Sequence, residues 1–217
     1  MQIKQAWPGV IEEVVSTKVR GPIFSTLVGE GGGRPLVDLG AGPCWFARRA
    51  RNAGWQVTAV DARTERLPED MEEITFIESD VRSFDVSSFH TVVVLGLLYH
   101  LTLTEQADLL AGCAGKRVIL ETQVHTEGIV PPAAEPWGHQ IVEAPEMPGI
   151  RGVVYPENEN PMASIGNPTS FWPDEEGLLT IFERSGFQSV QVIEPAHLSK
   201  YGTRKFYVLN SELVDKR

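Results

Sequence analysis

Cysteine is scarce in this chain, because its 217 residues include only Cys44 and Cys113. The two lie far apart and lack metal-ligand spacing, which argues against a disulfide framework or a structural zinc site and fits a reducing compartment. Long apolar runs are also missing, since none approaches the roughly 18 residues that a transmembrane helix needs. Glu12 and Glu13 interrupt the apolar N-terminal stretch, which is therefore not a signal peptide. We expect a cytoplasmic protein with no metal ligand and no membrane partner.

Basic residues are outnumbered, with 19 Lys and Arg against 29 Asp and Glu, for a formal net charge of −10. This balance makes a nucleic-acid partner unlikely, because phosphate backbones require a concentrated positive surface. The hydrophobic share of 42% and charged share of 22% are those of ordinary globular proteins. A chain of this length predicts a single domain with one full core. Nothing in the sequence indicates its oligomeric state.

Strands and helices alternate along most of the chain. This pattern predicts βαβ units and a parallel sheet, whose ligands bind at the carboxyl ends of the strands. Apolar runs, caps and turn residues predict helices over 9–29, 43–53, 102–115 and 171–187, and strands over 36–40, 56–61, 74–79, 90–98, 116–122, 189–195 and 204–210, the last two as an antiparallel pair.

Two regions lie outside this alternation. Residues 1–34 are expected to form an N-terminal helical extension of the single domain that spans 1–217. Residues 123–172 are rich in proline and aromatic residues and predict an irregular insertion. A long insertion within a compact domain is usually a functional lid or a disordered segment. The aromatic residues favour the first interpretation, a lid that covers the substrate.

The segment LVDLGAGPCWFARRA, residues 36–50, predicts a strand, a glycine turn and the start of a helix. A dinucleotide site requires a third glycine, in the pattern G-x-G-x-x-G, for close packing of helix on strand. Here Trp45 stands at that position, and Pro43 offers no N–H to a pyrophosphate. A nicotinamide oxidoreductase is therefore a poor interpretation of this turn.

The chain resembles the class I S-adenosylmethionine-dependent methyltransferases. The likeness rests on four features in the expected order: VDLGAGP, the acidic end of TAVDAR, the acidic residue in IESDVRSFD, and the VVVLGLLYHL stretch. The ending ERSGFQSVQV before a predicted hairpin is also similar. The resemblance covers about residues 36–122 and 173–210. It implies an α/β fold with a Rossmann-like, seven-stranded, mostly parallel sheet, helices on both faces and a C-terminal antiparallel strand pair.

The resemblance also implies S-adenosyl-L-methionine as the cofactor and assigns its contacts. Gly40 and Gly42 would allow close backbone approach because they lack side chains. Asp61 would accept hydrogen bonds from the ribose hydroxyls. The remaining assigned contacts are Asp80 to the adenine amino group, the backbone of Val81 to the adenine ring, and Asp38 to the methionine amino end, directly or through water. Cys44 departs from the family, many of whose members carry a third glycine there.

The acceptor side is less specific in the sequence. Tyr99 and His100 follow the fourth strand of the resemblance and are the catalytic candidates. His100 would act either as a base or as a structural or substrate-orienting histidine. Trp137, His139 and Tyr155 are candidate substrate contacts in the insertion. These features favour in-line methyl transfer to a small molecule. The alternatives are a cofactor-binding protein without transfer, and a methyltransferase acting on RNA.

The RNA alternative has its own sequence basis. GLLYHLT and NPTSFWPDEEGLLTIFERSGF are similar to segments of the wobble-uridine carboxymethyltransferase family, which acts on transfer RNA. The large N-terminal region of that family is absent from this sequence, so the likeness extends only to the catalytic domain.

Overall fold

The computed structural model describes residues 1–5, 10–11, 16–126, 141–157, 165–199 and 202–211. Strands and helices alternate through its centre, as predicted. In chain order the elements are β1 (Gln2–Gln5), β2 (Val10–Ile11), α1 (Ser16–Val28), β3 (Pro35–Leu39), α2 (Trp45–Asn52), β4 (Gln56–Asp61), β5 (Ile74–Glu78), β6 (Thr91–Leu95), α3 (Leu103–Gly112), β7 (Arg117–Val124), β8 (Ile141–Glu143), β9 (Arg151–Pro156), β10 (Thr169–Pro173), α4 (Glu175–Arg184), β11 (Ser189–Ser199) and β12 (Gly202–Asn210).

The main sheet has the strand order β1-β11-β12-β7-β6-β3-β4-β5, and β2 also pairs with β11. Strands β7, β6, β3, β4 and β5 are parallel. Strand β12 lies antiparallel between β7 and β11. The predicted mostly parallel sheet with a C-terminal antiparallel pair is therefore confirmed.

The N-terminal region differs from the predicted helical extension over 1–34 and from the predicted helix over 9–29. Strands β1 and β2 add in parallel to β11, with Gln2 opposite Ser189 and Val10 opposite Ala196. Among the described residues, they raise the number of strands in the main sheet from the predicted seven to nine. The physical reason is that β11 would otherwise leave one row of backbone N–H and C=O groups unpaired. The helical part is limited to Ser16–Val28.

Helices cover both faces of the sheet. The side chains of the inner strands point alternately to the two faces and are apolar on both, so each face must be buried. Val92 and Val94 of β6 pack in the core beneath α3 and α4. Val93 and Leu95 of the same strand pack in the core beneath α1 and α2. Within the described residues, no helix is long and apolar enough to cross a membrane.

The insertion contains a second sheet that the sequence did not predict. Strands β8, β9 and β10 form an antiparallel sheet in the order β10-β9-β8. The predicted helix over 171–187 is wrong at its start, because Phe171 and Trp172 belong to β10. Pro173 ends that strand, and Asp174 caps α4 by accepting a hydrogen bond from Gly177 N at 2.7 Å. The described residues of the insertion therefore include three strands.

Candidate active site

The glycine turn joins β3 to α2 and is anchored on the neighbouring strand β4. The amides of Gly40 and Ala41 donate hydrogen bonds to the Val60 carbonyl at 2.8 and 3.1 Å. Gly40 has φ +70°, and a Cβ there would lie 3.0 Å from the Leu97 side chain. The backbone conformation therefore favours glycine at position 40, and a larger residue would also have to displace the Leu97 side chain.

A cavity of about 530 Å³ opens at the carboxyl ends of β3, β4 and β6. Its volume lies within the range of small-molecule sites. Seven of the site residues expected from the sequence line it: Gly40, Gly42, Asp61, Asp80, Val81, Tyr99 and His100. The parallel strands bring these residues together although they span 61 positions of the sequence.

Asp61 ends β4 and faces the glycine turn across the cavity floor. Its Oδ2 accepts a hydrogen bond from the Gly42 amide at 2.8 Å, and its Oδ1 accepts one from the Arg63 amide at 3.0 Å. A carboxylate accepts about four hydrogen bonds in all. Asp61 therefore has acceptor capacity left for hydroxyl groups of a ligand in the cavity.

Asp80 follows β5 and forms an ion pair with Arg82 at 2.5 Å. Hydrogen bonds from the Arg82 side chain, and secondly from its backbone amide, hold the pKa of Asp80 below its ordinary value. The same guanidinium bonds Glu105 at 2.6 Å and reaches Asn167 Oδ1 and the Ile165 carbonyl of the insertion. Arg82 therefore connects this end of the cavity both to the start of α3 and to the insertion.

Asp38 lies behind the glycine turn and is not among the cavity-lining residues within the described chain. It is 2% exposed, and the nearby backbone of Ala47 lowers its pKa by less than burial raises it. Burial raises the pKa of Asp38 to about 7, with a smaller contribution from the nearby Asp61 charge. In this position Asp38 supports the start of α2, and the sequence-predicted contact to the methionine amino end remains a prediction.

Cys44 occupies the position at which many members of the family carry a third glycine. The residue has φ +55°, in the left-handed region that favours glycine, and it immediately precedes α2. Its side chain is fully buried, and burial raises the pKa of the thiol to about 11. Cys44 is therefore a small packing residue that remains protonated at neutral pH.

Tyr99 and His100 lie on a short 3₁₀ turn, Leu98–His100, that begins after β6. The predicted strand over 90–98 is too long, because Gly96 takes φ +76° and ends the extended chain. Tyr99 is 9% exposed, and its hydroxyl accepts a hydrogen bond from Arg204 Nη2. Burial raises the pKa of the Tyr99 phenol despite the nearby Arg204 charge. Tyr99 is therefore a neutral phenol held in place beside His100.

Glu157 holds the His100 ring. The Nδ1 atom of His100 lies 3.1 Å from Oε1 and 3.3 Å from Oε2 of Glu157. Glu157 comes from the insertion, directly after β9, and is only 3% exposed. No spacing or motif in the sequence indicates this pair, because 57 positions separate the two residues.

A buried ionic cluster borders the cavity, and two of its members, Arg20 and Arg204, line the cavity wall. Both form ion pairs with Glu121, Arg20 at 2.9 Å and Arg204 at 3.3 Å. Burial alone would raise the pKa of Glu121, but the two guanidiniums outweigh it and hold the pKa below the ordinary value. Burial lowers the pKa of neighbouring His197 to about 4, so that His197 is neutral at pH 7. Sequence reasoning missed this cluster, because its members come from α1, β7, β11 and β12.

Of the three residues expected to contact the substrate, the structure describes only Tyr155. Tyr155 stacks on Trp172 with ring centroids 4.3 Å apart and an interplanar angle of 11°. Within the described residues, Tyr155 is not part of the cavity lining. Trp137 and His139 lie outside the described residues, so both remain predictions.

The sequence alone matches no protein-family model and no curated protein. Solved structures do resemble the fold. The N-terminal domain of EvdMO1, crystallised in the presence of S-adenosylhomocysteine and D-fucose, aligns with a TM-score of 0.63 and 20% identity over 89% of this chain and 82% of that domain. The glycopeptide N-methyltransferase MtfA, in complex with S-adenosylhomocysteine, aligns with a TM-score of 0.58 and 18% identity over 92% of each chain.

A third similar structure is the 1,6-didemethyltoxoflavin-N1-methyltransferase of Burkholderia thailandensis, bound to 1,6-didemethyltoxoflavin and S-adenosylhomocysteine. It has a TM-score of 0.56 and 15% identity over 87% of this chain and 74% of that chain. The fold of this protein is that of the class I S-adenosylmethionine-dependent methyltransferases.

Proposed function

We propose that this protein transfers a methyl group from S-adenosylmethionine to a small-molecule acceptor. The observation that carries the proposal is the cavity itself. The glycine turn, the Asp61 carboxylate, and Asp80 with Val81 line it. This arrangement suits a ligand with an amino-acid tail, a ribose and an adenine ring.

The residues present fit this cofactor better than they fit a dinucleotide. Pro43 and Trp45 both line the cavity at the turn, and neither the proline nitrogen nor the indole ring suits a pyrophosphate at this place. S-adenosylmethionine has no phosphate, so it needs only close backbone approach at Gly40 and Gly42. Asp61 would accept the ribose hydroxyls, while Asp80 and the Val81 backbone would recognise adenine.

Asp38 acts indirectly in this proposal. Because Asp38 is buried beside the backbone of Ala47 at the start of α2, it would help to fix the position of the methionine end from behind the turn.

Bound S-adenosylmethionine supplies a methyl group that its sulfonium already activates. The protein must therefore align an acceptor and exclude water more than it must perform acid–base chemistry. Tyr99 and His100 would contact the acceptor, because they line the same cavity as the glycine turn and Asp61. Trp172 supports them from the insertion by donating an indole hydrogen bond to the Tyr99 carbonyl at 2.9 Å.

The small-molecule acceptor is supported by the relatives and by charge. One similar enzyme was crystallised with 1,6-didemethyltoxoflavin and another domain in the presence of D-fucose. The net charge of −10 opposes binding to an RNA backbone.

The direct test is calorimetric titration of the protein with S-adenosylhomocysteine and, separately, with NAD⁺. We expect binding of the first and no heat from the second. Asp61→Ala should weaken S-adenosylhomocysteine binding by about 1–3 kcal/mol, because hydrogen bonds to a charged acceptor are lost. Asp61→Asn tests the charge alone at nearly constant shape.

Asp85→Asn is the matched control, because Asp85 bonds Ser87 in an exposed turn and does not line the cavity. Heat from NAD⁺ with none from S-adenosylhomocysteine would refute the proposal. An unchanged dissociation constant in a folded Asp61→Ala variant would remove Asp61 from the site. Incubation with S-adenosylmethionine and a panel of small phenols, alcohols and amines then tests transfer itself.

A further inference from the structure

A second depression lies beside the cavity, between α1 and α2. It has a volume of about 750 Å³ and shares Arg20, Trp45 and Phe46 with the cavity lining. The other described residues that line it are Gly21, Arg48, Arg49, Arg51, Asn52 and Asp70. We call this space the arginine depression. A ligand that spans both spaces therefore passes Arg20 and the two aromatic rings.

The arginine depression carries an excess of positive charge in a chain whose formal net charge is −10. Asp70 is the one acidic residue among its described lining. Arg51 binds Asp70 at 3.3 Å, and this contact lowers the pKa of Asp70 more than the charge of Arg48 does. Arg48 forms no hydrogen bond or ion pair with the described residues, and Arg49 bonds only the neutral Ser25 hydroxyl, at 3.4 Å. Two guanidiniums therefore have no carboxylate partner in the part of the chain that the structure describes.

Arg20 is fixed at the boundary between the two spaces. Its Nη2 donates a hydrogen bond to Glu121 at 2.9 Å, and its guanidinium lies 4.9 Å from the centre of the Phe46 ring. Its Nε has no hydrogen-bond partner among the described residues. The guanidinium has five N–H donors, so the contact with Glu121 leaves donors for a ligand.

Gly21 gives Arg49 its place in the arginine depression. A Cβ at position 21 would lie 2.8 Å from Arg49 Nη2. Glycine inside a helix is less favourable than alanine. In α1 its missing side chain leaves room for the Arg49 guanidinium, which therefore lines the same depression as Arg20 and Arg48.

The charge of the arginine depression matches a terminal phosphate group. A phosphate monoester carries a charge of about −1.5 to −2 at neutral pH, which two guanidiniums balance, whereas a carboxylate carries only one charge. Guanidiniums also bind phosphate oxygens through paired hydrogen bonds. The Trp45 indole, 48% exposed, adds a flat apolar surface where the two spaces meet. Gly40 and Gly42 do not line the depression, so a phosphate there leaves the glycine turn to the cofactor.

We propose that the arginine depression binds a phosphate monoester through Arg20, Arg48 and Arg49, and that this group belongs to the methyl acceptor. The acceptor is then a phosphorylated small molecule whose organic part passes Trp45 into the cavity. This inference rests on the proposed methyl transfer. S-adenosylmethionine has no phosphate group, so the cofactor does not account for the charge of this depression.

Calorimetric titration of the whole protein with inorganic phosphate, with and without S-adenosylhomocysteine, tests the site without an acceptor. We expect saturable binding that Arg48→Gln and Arg49→Gln each weaken about tenfold or more, because charge-assisted hydrogen bonds are lost. Gly21→Ala keeps every charge and should also weaken binding, because Arg49 must move. Arg184→Gln is the matched control: it removes the same charge, but Arg184 bonds the Pro148 carbonyl and lines neither space.

Activity provides the second readout. Sugar phosphates, phosphorylated phenols and nucleoside monophosphates are each incubated with S-adenosylmethionine and the protein, beside the same compound without its phosphate. We expect methyl transfer to a phosphorylated member, with inorganic phosphate competing against it. Arg48→Gln should raise the KM of that acceptor about tenfold and change kcat less, because the lost contact is made before and during transfer alike.

The outcomes separate this inference from the proposed function. Absence of S-adenosylhomocysteine binding in the parent overturns the methyltransferase proposal, whereas absence of phosphate binding, or equal weakening in Arg184→Gln, overturns the phosphate site. Transfer only to compounds without phosphate, or inhibition by phosphate that does not compete with the acceptor, overturns the acceptor assignment. Tighter binding of a short single-stranded RNA than of phosphate, lost in Arg48→Gln, would assign these arginines to a nucleic acid and overturn the small-molecule proposal.

Discussion

Asp38 is the residue whose chemistry depends most on its surroundings. Burial raises its pKa to about 7, whereas its ordinary value is 3.8. The folded protein therefore binds this proton more tightly than the unfolded chain does. The stability that comes from protonated Asp38 is fully present below pH 3.8 and is lost as the pH rises through about 7.

Asp38→Asn should remove this pH dependence, because an asparagine is neutral at every pH. Relative to the parent, the free energy of unfolding of the variant should increase by about 2–3 kcal/mol between pH 5 and pH 8. Urea unfolding at both values measures it. Asp85→Asn is the control and should show no such increase, because hydrogen bonds from Ser87 lower the pKa of Asp85, so that it is already ionised at pH 5. A flat difference for Asp38→Asn would mean that Asp38 is ionised in the folded protein at pH 5.

Residues of the site differed in how far the sequence could predict them. The resemblance assigned Asp61 and Asp80, and both lie at the carboxyl end of a parallel strand, the edge at which such sheets bind ligands. Glu157, Arg20 and Arg204 were not predictable, because their contacts cross 57 to 105 positions of the chain. No local pattern records such pairs, which arise only when the insertion and the last strands pack against the turn after β6.

At the scale of single elements, the start of α4 gives a sharp test. The sequence predicted a helix over 171–187, which would place Asp174 inside the helix near its N-terminal end, where it would act through its charge. The structure instead makes Asp174 the N-cap, with its side chain accepting the Gly177 amide. Asp174→Ala should therefore destabilise the protein by about 1 kcal/mol, as for other lost caps.

Asp174→Asn distinguishes the two interpretations, because asparagine caps a helix as well as aspartate but carries no charge. We expect it to stay within a few tenths of a kcal/mol of the parent in urea unfolding. Equal losses in both variants would instead indicate that Asp174 acts only through the helix dipole.

Helices and strands were predictable where local rules agree. Thr102 and Glu105 form a capping box at the start of α3, close to the predicted helix start at 102, with Glu105 Oε2 accepting the Thr102 amide at 2.9 Å. The second sheet was not predictable, because Ile141–Glu143 is exposed throughout and shows no apolar alternation. Strand Gln2–Gln5 likewise has little apolar character, and its pairing depends on the free edge of β11.

At the scale of the whole molecule, the cavity joins parts of the chain that fold onto both sides of the sheet. Its lining includes Arg20 of α1, the glycine turn, Leu101 before α3 and Ile165 of the insertion. A ligand in the cavity therefore contacts residues attached to both cores and to the second sheet. Binding should stabilise the domain as a unit and should not protect one segment alone.

S-adenosylhomocysteine at about 100 times its dissociation constant should add roughly 2.7 kcal/mol to the free energy of unfolding. For a chain of this length, that corresponds to an increase in Tm of about 5–10 °C. Differential scanning calorimetry measures the shift and shows whether a single transition moves. Asp61→Asn at the same ligand concentration should shift less, because its occupancy is lower. A ligand-bound protein whose Tm does not move, or in which only part of a divided transition moves, would show that the cavity does not join the two cores energetically.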